Sequence, residues 1–87
     1  MFLGTNENWN LWRKQNPEYI PNISKIVVKN RIIENMNLKN VKVYEGYFEN
    51  VRFINSNLNS INFLGSEFIH AEFINSNLNF AKIISIK

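Results

Sequence analysis

Phe53-Ile54-Asn55-Ser56-Asn57-Leu58-Asn59 returns unchanged as Phe73-Ile74-Asn75-Ser76-Asn77-Leu78-Asn79, twenty residues later. A segment repeated at a fixed spacing points to stacked units, each burying its apolar side against the next. A shorter period of five runs inside the twenty. From Pro21 the chain reads PNISK, IVVKN, RIIEN, MNLKN, VKVYE, GYFEN, VRFIN, SNLNS, INFLG, SEFIH, AEFIN, SNLNF, AKIIS and a final IK. The third residue of every block is large and apolar: Ile23, Val28, Ile33, Leu38, Val43, Phe48, Phe53, Leu58, Phe63, Phe68, Phe73, Leu78 and Ile83. The first residue is usually small or apolar, as in Gly46, Ser56, Ser66, Ala71, Ser76 and Ala81, and Asn dominates the rest.

A helix would need apolar spacings of three and four, and a half-buried strand would need strict alternation. A sustained period of five satisfies neither. It fits a chain that turns a corner every five residues and points one side chain inward from each side. Four sides close a square coil, and the coils stack at the strand spacing of about 4.8 Å. The inward residues then form four ladders: Leu38-Leu58-Leu78, Ile33-Phe53-Phe73, Val28-Phe48-Phe68, and Ile23-Val43-Phe63-Ile83. Like residues fall together in them.

These blocks resemble the pentapeptide-repeat family, whose motif is roughly Ala-(Asp/Asn)-Leu-x-x. SNLNS, SNLNF and MNLKN match it most closely, and the resemblance runs from residue 21 to residue 87. It implies an all-β fold, a right-handed quadrilateral β-helix of about three coils here. Residues 1–20 form a separate leader, and residues 21–87 the repeats. The leader Trp9-Asn10-Leu11-Trp12-Arg13, with Asn16-Pro17 after it, also resembles a segment that precedes the repeats in some bacterial members.

The leader reads as a short α-helix. Thr5 or Asn6 can cap its start, and Asn16-Pro17 can end it. Trp9, Trp12 and Leu11 are expected to share one face. That face is expected to cover the first coil, whose open edge would otherwise expose backbone groups and ladder ends. Trp9, Trp12 and Arg13 are the expected cap residues. Arg31 and Met36 are bulky where a small inward residue is expected, so the first coil reads as irregular. Arg31 is expected to reach solvent or a cap carbonyl.

Length permits one domain. The chain has no Cys and no Asp, so disulfide and thiolate metal chemistry are absent. The start, MFLGTNEN, lacks a basic segment and a long apolar run, so no signal peptide is expected. No stretch approaches a membrane span. A cytoplasmic location is the expectation, and the Asn, Ile, Lys and Phe usage suggests an AT-rich bacterial or phage genome. A catalytic triad would need His70, the lone His, as its base. His70 falls at a corner, where a solvated role is expected. Glu67 and Glu72 flank it without a trusted metal-ligand spacing. No glycine loop cradles a phosphate: Gly46 and Gly65 read as steric relief and as a corner. No enzyme, cofactor or metal site is expected.

The family resemblance also implies a second role. Some members bind type II topoisomerases by mimicking the charge and width of duplex DNA. That needs a strongly negative rod. Here the formal net charge is +3 and the motif's acidic position is held by Asn37, Asn57, Asn62 and Asn77, or by Lys, Arg or Glu. Three coils also give a rod only ~15 Å high. The positive charges are scattered among Glu and make no basic stripe, so nucleic acid is not an expected partner.

Surface columns remain. The residue after each inward position points partly outward. Tyr44, Leu64 and Ile84 stack on one side; Ile54 and Ile74 follow Glu34 on another, with Ile69 beside them. Contiguous apolar patches mark interfaces, but the same side chains can lie flat along the coil and thicken its wall. Both readings stay open. The expected role is a non-enzymatic interaction or assembly module, with a protein partner that includes a second copy meeting the carboxyl-terminal coil as a homodimer.

Overall fold

The computed structural model describes residues 5–83. Four strands among them pair in parallel: β1 (Val27–Glu34), β2 (Tyr47–Ile54), β3 (Glu67–Ile69) and β4 (Glu72–Ile74). β1 pairs with β2, and β2 pairs with both β3 and β4. The offset is always the twenty seen in the sequence. Val28 faces Phe48 and Phe48 faces Phe68; Ile33 faces Phe53 and Phe53 faces Phe73. Beyond the strands, isolated bridges keep the same step, through Asn22, Lys42, Asn62 and Lys82 and through Asn37, Asn57 and Asn77. Parallel pairing at one constant offset makes a β-helix, with an open sheet on part of its wall.

The corners come from the fifth residue of each block. From Lys25 to Phe80 every one of them has a positive φ, Gly65 at 76° included. This left-handed conformation costs a residue with a Cβ roughly 1–2 kcal/mol, and Asn is among the few that adopt it readily. Asn30, Asn35, Asn40, Asn50, Asn55 and Asn75 fill half of these positions. Much of the Asn content is therefore corner chemistry.

The third-position ladders form the core. Val28, Ile33, Leu38, Val43, Phe48, Phe53, Leu58, Phe63 and Phe68 are all buried. Aromatic rings stack between successive layers: Phe48 on Phe68 at 5.0 Å, and Phe53 on Phe73 at 4.9 Å. Phe63 meets Phe48 and Phe68 edge-on. First positions also point inward, so Met36, Val41, Val51 and Ile61 are buried with them. Met36, expected to disturb the first coil, packs inside the core. Gly46 is sterically required, since a Cβ there would lie 2.9 Å from the Phe48 ring.

Serines at first positions tie successive layers together. The Ser66 hydroxyl donates to the Val43 carbonyl at 2.6 Å and accepts from Gly46 N–H at 2.9 Å. The Ser56 hydroxyl accepts from Met36 N–H, and that of Ser76 accepts from Ser56 N–H. The serine thus satisfies a backbone group that the corner withdraws from the ladder.

α1 (Asn6–Gln15) precedes the repeats. Thr5 caps it by accepting from Asn8 N–H, and Asn16 closes it with Pro17 next in the chain. Trp9 is buried and Trp12 partly so, with Trp12 edge-on to Tyr19 at 5.2 Å. Leu11 departs from the expectation: it is 54% exposed and does not share the buried face. At 100° per residue, Leu11 lies well round the helix from Trp9.

Candidate functional site

Among the described residues, two kinds of surface carry the chemistry: the backbone edge facing α1, and the outward columns of the repeats.

The edge runs from Glu34 to Lys39. In the Asn37–Asn57 bridge, Asn57 donates to the Met36 carbonyl and Leu38 donates to the Asn57 carbonyl. Asn37 therefore sends its own N–H and C=O the other way, where a preceding strand would lie. α1 supplies side chains instead. Asn10 Nδ2 donates to the Asn35 carbonyl at 2.7 Å, while its Oδ1 accepts from Asn37 N–H at 2.8 Å. One side-chain amide thus reproduces the donor and acceptor of a backbone residue paired with Met36. Trp9 Nε1 and Arg13 Nη1 both donate to the Asn37 carbonyl, at 2.7 and 3.1 Å. Arg13 Nη2 donates to the Lys39 carbonyl at 2.6 Å, and Asn6 Nδ2 to Glu34 at 3.0 Å. Burial lowers the Arg13 pKa from its ordinary value, but the guanidinium stays charged at neutral pH. It lies 6.0 Å from the Trp9 ring centre.

Of the three expected cap residues, Trp9 and Arg13 reach this edge by hydrogen bonds, while Trp12 packs beside Trp9 at 5.9 Å. Asn6 and Asn10 escaped the sequence reading. Their signal was present: Asn6, Trp9, Asn10 and Arg13 are spaced i, i+3, i+4, i+7, one helical face. The apolar residues drew attention away from the polar ones between them.

The outward columns are more mixed. Ile54 faces Ile74 in the β2–β4 register, and Glu34 faces Ile54. Ile69 faces Glu49 in its own register. Tyr44, Ile54, Ile69 and Ile74 are half-buried, whereas Leu64 is 49% exposed. Tyr44 also accepts from Asn62 Nδ2 at 3.4 Å. Ile84 lies outside the described residues. The sequence reading did not single out Val27 and Ile32, each 57% exposed on β1, or Phe80, 84% exposed at a corner.

The polar candidates stay apart. His70 is an exposed corner residue with a φ of 54°. Glu72 is taken by Arg52 in an exposed ion pair at 2.9 Å. No group of three metal-ligating side chains occurs among the described residues. Glu49 accepts from the Tyr47 hydroxyl at 2.7 Å, and that bond raises the Tyr47 pKa.

The constant offset, the stacked inward ladders and the helix laid on one edge define a repeat solenoid, a chain that buries its core only by stacking copies of one unit. Residues 47–82 match the family model described as pentapeptide repeats (8 copies), and over these residues the chain is similar to the pentapeptide-repeat proteins. No curated protein and no solved structure matches it.

Proposed function

We propose that the chain is a non-enzymatic protein-interaction module of a bacterial cytoplasm and that it self-associates as a homodimer. In this reading residues 21–87 wind as a right-handed, four-sided β-helix of about three coils, and residues 1–20 act as its cap. The corner at every fifth residue and the pairing of each residue with one twenty further on support the four-sided form. The match of residues 47–82 to the pentapeptide-repeat family model supports an interaction or structural role.

One observation carries the choice of interface. Leu64 stands 49% exposed in the column of Tyr44, at the same position of the repeat one step along the coil. A large apolar side chain held on a regular wall is suited to meet a matching wall, and a two-fold axis brings the same column to both sides. Ile54 and Ile74, two sides round the coil from Leu64, and Ile69 on the side between form a separate apolar area outside this interface. The positive net charge and the absence of Asp argue against DNA mimicry.

The test is the mass in solution across a range of concentrations, by light scattering. The native chain is expected at twice its chain mass and the Leu64→Glu variant at one chain mass. A native chain that stays at 10.3 kDa would remove the homodimer.

A further inference from the structure

α1 covers only part of the amino-terminal edge. Among the described residues β1 has a strand on one side, β2. Along a parallel ladder, successive residues direct their backbone groups to alternate sides. The phase is fixed at both ends of β1: Tyr47 N–H donates to the Ile26 carbonyl, and Asn35 N–H donates to the Ile54 carbonyl. Val27, Lys29, Ile32 and Glu34 therefore direct their N–H and C=O away from β2. Asn6 of α1 serves the Glu34 carbonyl. The groups of Val27, Lys29 and Ile32 have no strand beside them among the described residues.

The side chains at this edge are specific in character. Val27 and Ile32 are each 57% exposed. Between them stands Lys29, whose ammonium lies 5.8 Å from the Tyr47 ring centre. Two clefts flank Ile32. One, of about 230 Å³, is lined by Asn30, Asn50 and Arg52; the other, of about 310 Å³, by Thr5, Asn6 and Met36. β2 shows what β1 accepts on its other side: Tyr47 opposite Val27, and Glu49 opposite Lys29.

We propose that the β1 edge from Val27 to Ile32 accepts a peptide strand from a partner protein that turns with the Asn30 corner, with an apolar residue opposite Val27 and an acidic residue opposite Lys29. Main-chain hydrogen bonds to Val27, Lys29 and Ile32 give the affinity, and the cross-strand pairs give the preference. Charge selects this occupant over a second copy. Two β1 edges meeting antiparallel about Lys29 would set Lys29 of one chain against Lys29 of the other, and like charges across a strand pair repel. The proposal rests on the reading of the chain as an interaction module but not on the homodimer.

The probe is a fluorescein-labelled peptide, Tyr-Ser-Glu-Asn-Val-Thr, which keeps the aromatic and acidic residues of β2 and replaces its inward Phe by Ser. A second peptide carries Lys in place of Glu. Anisotropy titration against the full chain is expected to favour the Glu peptide by roughly threefold, the scale of one cross-strand charge pair. Lys29→Glu is expected to reverse the order. Lys29→Pro removes an N–H that faces away from β2 and is expected to abolish binding of both. Equal binding of the two peptides, or no saturation by about 1 mM, overturns the proposal. So does undiminished binding to a Lys29→Pro chain of native circular dichroism; if that variant unfolds, the order of preference in Lys29→Glu decides. Binding that appears only after residues 1–4 are removed assigns the edge to the chain's own start and also overturns it. Peptide binding by a chain of single mass sustains the proposal while removing the homodimer.

Discussion

Each twenty-residue period has two unlike halves. One half carries the strands, in residues 27–34, 47–54 and 67–74. The other half, in residues 36–45 and 56–65, is held by single bridges and turns. Both halves share the inward third residue and the positive-φ fifth residue. They differ at the second residue. In the bridged half it is often Asn, and its side-chain oxygen accepts from the N–H two residues on. Asn22 binds Ser24, Asn37 binds Lys39, Asn57 binds Asn59, Asn62 binds Leu64 and Asn77 binds Asn79. That bond curls the backbone locally and removes the N–H from the ladder. In the strand half the second residues are Val27, Ile32, Tyr47, Arg52, Glu67 and Glu72, which leave it for inter-strand pairing. Lys42 is instructive: its block turns without an Asn, because it is bridged by Asn22 and Asn62 and because Tyr44 N–H finds the Ser24 hydroxyl. Neighbouring layers impose the turn where the local residue does not encode it.

The comparison can be broken most strongly in the core. Phe48→Ala, in the strand half, is expected to cost about 3–5 kcal/mol, and Leu58→Ala, in the bridged half, about 2–5 kcal/mol. Urea midpoints measure both, and a Leu58 loss near zero would mean that the bridged half is not cooperative with the strands. Ser66→Ala removes a buried link between layers. Leaving Gly46 N–H and the Val43 carbonyl unmet should cost about 1–3 kcal/mol in the same assay.

The finest distinction lies at the second residue. Asn57→Val deletes a turn bond and is expected to cost about 1 kcal/mol, whereas Arg52→Asn, in the strand half, should change stability by about 0.5 kcal/mol or less. Equal losses would deny the second residue its role. One expected change has the opposite sign. Phe80 has a φ of 61° and is 84% exposed. Phe80→Asn should raise the melting midpoint, with a gain of up to about 1 kcal/mol from the relieved left-handed strain.

The inward ladders were legible because a period of five leaves an unbroken mark on Ile23 through Ile83, and the register followed from one repeated heptapeptide. The division into strands and turns was not legible. It depends on which Asn oxygen folds back on its own backbone, and Asn at a corner looks the same in sequence as Asn at a second position. The contact of α1 with the edge from Glu34 to Lys39 was half legible. Trp9 announced a buried face, but Asn10 acts as a stand-in for a backbone residue, a role defined by its distance to Asn35 and Asn37. The edge of β1 left no mark, because Val27, Lys29 and Ile32 form an edge, among the described residues, only where α1 stops short.

The unvarying offset of twenty has a consequence at the level of the gene. The copies of the heptapeptide beginning at Phe53 and at Phe73 stand one whole period apart. A crossover between them would delete or duplicate one whole period while keeping every ladder, corner and column in phase. A loss of five residues would instead turn each following face by one side and move Leu64 out of line with Tyr44. Lengthening in steps of twenty is thus the inexpensive path by which such a chain changes size and retains its surfaces.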